Sequence, residues 1–153
     1  HQPSSLSENI QIRIREIVMK ALDALHIQYG ASHSELKITD EGDIRVIEIG
    51  ARMGGDFIGS NLVKLSTGYD FLGATIKVAM GEFVEPQITE HNYSGVYFLS
   101  KETANLKTVI ENWKDYSEIV EAKITDSELC NIECSADRSG YLIYKSDKKL
   151  ELI

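Results

Sequence analysis

Apolar residues recur every three or four positions from Ile10 through Ile14, Ile17, Val18, Ala21 and Leu22 to Leu25, a spacing that predicts one amphipathic helix. Ser5-Leu6-Ser7-Glu8 reads as a capping box that opens it, and the stripe stops before Gly30. The period then changes to two. His33 to Thr39 and Ile44 to Gly50 alternate as strands, joined by the turn Asp40-Glu41-Gly42-Asp43. Leu36, Ile38, Ile47 and Ile49 fall on one face of this hairpin, while Glu35 and Glu48 fall on the other. One side is expected to be core and the other wet or functional.

A glycine-rich bend, Ala51-Arg52-Met53-Gly54-Gly55-Asp56, follows the hairpin. A short helix is expected from near Asp56, carrying Ile58, Leu62 and Leu65, with Asp56 as its N-cap. A second helix starts at the cap Asp70 and runs through Phe71, Leu72, Ile76, Val78 and Ala79 to Gly81. Pro86 marks a loop, and a boundary near residues 82–92 divides a first unit, 1–85, from a smaller α+β unit, 86–153. In the second unit Gly95 to Ser100 reads as a strand, and Leu106, Val109, Ile110 and Trp113 form a helical stripe. Val120-Ala122-Ile124, Cys130-Ile132-Cys134, Tyr141-Ile143 and the final Leu150 to Ile153 read as strand segments. The fold class predicted is α+β, with antiparallel strands and helices.

Composition narrows the function. A net charge of −8 over 153 residues argues against an extended nucleic-acid surface, since little would neutralise a run of phosphates. No apolar run reaches the length of a membrane span, and no signal peptide is visible. On a strand, Cys130 and Cys134 would share a face about 13 Å apart, too far for a disulfide, so two buried free thiols are expected. That usage suggests a reducing, cytoplasmic compartment. The start at His1-Gln2-Pro3, without Met, suggests a processed chain or a piece of a longer one.

With Glu41 and Gly42 as the two central loop residues, Glu35 lies directly opposite Glu48. Opposed Cβ atoms stand roughly 4.5–5.5 Å apart, and like charges there destabilise a sheet. At ~5 Å and an effective dielectric of about 20, the repulsion is on the order of 3 kcal/mol. A cation between the carboxylates would turn that penalty into binding, and oxygen-only ligands suit a hard ion such as Mg²⁺ (or Mn²⁺). Arg52 follows on the same side, where a guanidinium can hold charge developing on a transferred phosphoryl group. Gly54 and Gly55 allow close approach of backbone to a substrate or anion.

Tyr29 to Lys37, followed by Val46 to Asp56, resembles the metal-binding hairpin of ATP-grasp enzymes, in the carbamoyl-phosphate-synthase-like and L-amino-acid-ligase-like branch. Ser66-Thr67-Gly68-Tyr69-Asp70-Phe71 to Ala79-Met80-Gly81-Glu82 is similar to the helix that follows this motif there. The resemblance covers about residues 5–82, and residues 93–153 resemble the small C-terminal β-rich subdomain of such ligases more loosely.

The resemblance implies the C-terminal half of an ATP-grasp domain, from an enzyme that activates a carboxylate as an acyl phosphate for attack by an amine or thiol. It implies ATP and Mg²⁺ (or Mn²⁺) as cofactors, with Glu35 and Glu48 as metal ligands and Arg52 on phosphate or the acyl phosphate. Gly54, Gly55 and Asp56 would border the acceptor substrate. Gly50 stands where the family carries an asparagine ligand, and Lys37 where many relatives have an apolar residue beside the nucleotide. The family's lysines, adenine pocket and lid belong to an N-terminal part that does not precede Leu6, so this chain alone is expected to be inactive. Two other readings stand beside it. One is a non-catalytic nucleotide- or metal-binding scaffold with a degenerate site, for which Gly50 speaks. The other is a homo-oligomerising module that pairs through the last apolar segment.

Overall fold

A computed structural model describes every residue, His1–Ile153. The elements run α1 (Glu8–Ala24), β1 (His33–Ile38), β2 (Ile44–Gly50), a wide π-helical turn (Ile58–Leu62), α2 (Val63–Thr67) and α3 (Phe71–Ala79). They continue with β3 (Tyr93–Leu99), α4 (Leu106–Glu111), β4 (Ile119–Ile124) and β5 (Gly140–Ser146). The architecture is α+β, with two antiparallel sheets: β1-β2, and a three-stranded sheet in the order β3-β5-β4. No helix is long and apolar enough to cross a membrane. The chain forms two compact units. A hairpin unit comprises 4–60 and 70–86, and a sheet unit comprises 1–3, 61–69 and 87–153.

In the hairpin unit the stripe of α1 is half-buried and no side chain of the helix is fully so. Its N-terminus differs from the expected capping box. Ser7 is the N-cap and makes no side-chain bond, while Ser4 Oγ accepts from the Leu6 N–H. Asp70 caps α3 as expected, accepting from the Gly73 N–H. The short helix expected near Asp56 begins at Ile58 instead. Asp56 and Phe57 both have positive φ, +50° and +63°, so Asp56 lacks the extended backbone an N-cap uses.

The sheet unit holds the core. Leu99, Leu106, Ile110, Ile119, Leu142 and Tyr144 are buried together, with Trp113, Val109 and Ala122 packed against them. On β5, Gly140, Leu142, Tyr144 and Ser146 are buried on one face and Ile143 on the other, while β3 is buried at Ser94, Gly95 and Leu99 and half-buried between them. Gly95 lies under the Tyr144 ring, where a Cβ would stand 2.5 Å from a ring carbon. Glu90 pairs with Lys145, which holds its carboxyl below the ordinary carboxylate range.

Two expected strands are absent. Residues 125–139 form a loop tied at its base by Ser139, whose N–H donates to Leu99 O at 2.8 Å and whose hydroxyl donates to Glu128 O at 2.7 Å. Cys130 and Cys134 lie in it as exposed free thiols, not buried ones. Asp137 accepts from the N–H groups of Glu133 and Cys134, satisfying the backbone locally where a ladder would have done so. Residues 150–153 are tied down through Tyr97, whose hydroxyl donates to Leu150 O at 2.5 Å, and through Asn105 on Leu152 O, not by strand pairing.

Candidate functional site

The hairpin closes on three loop residues, not two. Thr39 N–H donates to Asp43 O and Gly42 N–H to Thr39 O, both at 2.9 Å, with Gly42 at φ +85°. This is the three-residue loop with a left-handed glycine in its last position. It pairs Ile38 with Ile44, Lys37 with Arg45 and Leu36 with Val46. A bulge then intervenes, after which Glu35 pairs with Glu48, Ser34 with Ile49 and His33 with Gly50. The expected opposition of Glu35 and Glu48 is present, reached through a bulge.

The bulge has two consequences. Ile47 becomes the extra residue and is 64% exposed, so its expected place in the core is corrected. Arg45 swings onto the face of Glu35, beside Lys37. Successive pairs on that face are His33 with Gly50, the two acids, and then two cations. Arg45 was not singled out from the sequence because a two-residue loop places it on the apolar face. Gly42 in the third loop position was the available signal.

Each acid has one neighbour. His33 Nε2 donates to Glu35 Oε1 at 3.3 Å, and Arg52 Nη2 donates to Glu48 Oε1 at 3.4 Å. Both carboxylate side chains are about half exposed, at 55% and 54%. The Arg52 stem lies over Gly50, 3.4 Å from where a Cβ would be, and Nη1 donates to Met53 O at 3.0 Å. Arg52 therefore takes the space a side chain at position 50 would share. Gly54 comes so close to His33 that a Cβ there would stand 3.0 Å from Nδ1 and 3.2 Å from Ile58. Gly55 has open space around it, and its carbonyl accepts from Ile58 N–H at 2.8 Å. A pocket of about 220 Å³ adjoins the site, lined by Gly30, Ala31, Ala51, Arg52, Thr75 and Val78 among others.

Glu35, Glu48, Arg52, His33 and Gly54 are thus gathered, and Gly55 and Asp56 continue the bend beyond them. No three His, Cys, Asp or Glu side chains converge as an all-protein metal cage. The donor set is two opposed carboxylates, each with Oε2 outside the bonds described above. Such a set fits Mg²⁺, which is commonly held by one or two carboxylates with phosphates and waters completing the shell. Lys37, Arg45 and Arg52 around it suit the remaining charge of a polyphosphate.

No family profile and no curated protein sequence matches this chain. Solved structures do. An L-amino acid ligase from Bacillus licheniformis superposes with a TM-score of 0.74 at 23% identity, over 95% of this chain and 40% of that one. A phosphoribosylglycinamide synthetase from Anaerococcus prevotii gives 0.66 at 20%, over 96% and 39%. The biotin carboxylase domain of the Hydrogenobacter thermophilus 2-oxoglutarate carboxylase, in complex with MgADP and bicarbonate, gives 0.58 at 17%, over 95% and 34%. The chain spans two fifths or less of each of these relatives. Its fold is that of part of an ATP-grasp domain.

Proposed function

We propose that this chain carries half of the Mg²⁺–ATP site of a ligase that joins a small carboxylate to an amine or thiol through an acyl phosphate. The observation that supports it best is the direct opposition of Glu35 and Glu48 on one face, with Arg52 bonded to the second acid. Glu35 and Glu48 would hold Mg²⁺ (or Mn²⁺) against the phosphate oxygens of ATP. The bound cation would supply neutralisation of the charge on those oxygens. In this reading the substrate carboxylate attacks the γ-phosphorus and ADP leaves. The amine or thiol then attacks the acyl carbon and phosphate leaves. Arg52 would bind the transferred phosphoryl group through its remaining N–H groups, and electrostatic stabilisation of this kind is usually a large part of catalysis.

Gly54, Gly55 and Asp56 would border the acceptor substrate, with backbone able to come close at the two glycines. The other subdomain of the nucleotide cleft would come from the rest of the same enzyme. In that enzyme, ADP release should require a divalent cation together with a carboxylate and an amine, and Glu35→Gln should abolish it. Release that is absent with every acid–amine pair, while nucleotide still binds, would favour the second reading. That reading is a non-catalytic nucleotide-binding domain, and Gly50 in place of a third oxygen ligand speaks for it.

A further inference from the structure

His33 has no task in the reading above, yet it is the best-enclosed polar side chain on the acid face. Its side chain is 23% exposed, against 55% for Glu35 beside it. Across the hairpin it faces Gly50, which offers no side chain to compete for the space. One ring nitrogen, Nε2, donates to Glu35 Oε1, while Nδ1 is turned toward Gly54. A Cβ at position 54 would stand 3.0 Å from Nδ1, tight enough that the imidazole would have to shift by a few tenths of an ångström. Ile58, 3.2 Å from the same point, leaves the displaced atom little room to turn aside.

We propose that His33 is a positioning residue for the metal-binding carboxylate of Glu35, and that Gly54 acts as the buttress that holds the imidazole in place. The proposal rests on the metal–nucleotide reading. An exposed glutamate samples several rotamers and loses that freedom on binding a cation. A bond fixed on Oε1 removes part of the loss beforehand and leaves Oε2 for the cation. Groups that hydrogen-bond a metal-ligating side chain act in this way, and losing one typically costs 10–100-fold in metal affinity.

The test is Mn²⁺ binding to the parent protein in the presence of ADP, followed by the paramagnetic resonance of the free ion, so that no turnover is needed. His33→Ala should weaken Mn²⁺ binding by about 10-fold. His33→Gln, which places an N–H donor near the position of Nε2, should recover most of the loss. Gly54→Ala should weaken binding in the same direction without touching either acid. Combined with His33→Ala it should add nothing, because both act through one ring. Unchanged affinity in His33→Ala, with binding still lost in Glu48→Gln, overturns the proposal and leaves the metal site standing. Additive losses in the double variant overturn the buttress. An unaltered parent protein that ignores Mn²⁺, or a Glu48→Gln variant that binds it equally well, removes the metal reading and the proposal with it. Thermal unfolding of each variant separates these outcomes from misfolding.

Discussion

Arg52 gives Glu48 a neutralising partner at 3.4 Å, but both side chains are more than half exposed, so the pair adds little to stability. Its worth lies in the charge it places beside the two carboxylates. Space left by absent side chains matters as much. Gly54 leaves room for His33, and Gly95 leaves room for Tyr144, the largest fully buried side chain. Gly95→Ala drives a Cβ into that ring in a strand that has no slack. It should cost about 1–3 kcal/mol in urea or thermal unfolding, as overpacking does. A change below about 0.5 kcal/mol, the ordinary surface value, would mean the ring is not fixed there. At this scale the opposition of Glu35 and Glu48 was legible, because two alternating strands joined by a short turn bring them level. The enclosure of His33 was not, since it depends on a bend whose backbone the sequence does not specify.

The hairpin shows how an element can reach an expected contact by an unexpected path. Its three-residue loop sets the pairing one residue out of step with the acids, and the bulge at Ile47 restores it. The alternating pattern alone puts Ile47 beside Ile49 in the core, and the bulge turns it to solvent. Ile47→Thr should therefore change stability by less than about 0.5 kcal/mol. A loss of 2 kcal/mol or more, of order for a buried isoleucine truncated, would restore the unbulged register and pull the acids apart. Helices with a cap or a long apolar stripe were legible: α3 begins at the Asp70 cap, and α1 follows its stripe. The segment Cys130-Ile132-Cys134 alternates like a strand yet forms a loop. Asp137 and Ser139 satisfy its backbone locally, and a period of two carries no information about such side-chain bonds.

Across the whole molecule, burial is divided unequally. Every buried apolar side chain of the core belongs to the sheet unit, whereas the hairpin unit, which bears the candidate site, leaves Met19, Leu25, Ile47, Ile76 and Phe83 exposed. The α+β class and the ATP-grasp likeness were legible because the hairpin motif and the following helix keep their order along the chain. The grouping of residues 61–69 with the sheet unit was not, because it is made by long-range bonds such as Ser94 Oγ to Leu62 O at 2.8 Å. The account turns on whether the opposed acids bind a cation together with nucleotide. A calorimetric titration of ADP in the presence of Mg²⁺ or Mn²⁺, with the parent protein and its Glu48→Gln variant, tests this most directly. The account predicts metal-dependent binding that the variant loses; ADP binding that is indifferent to both metal and mutation would contradict it.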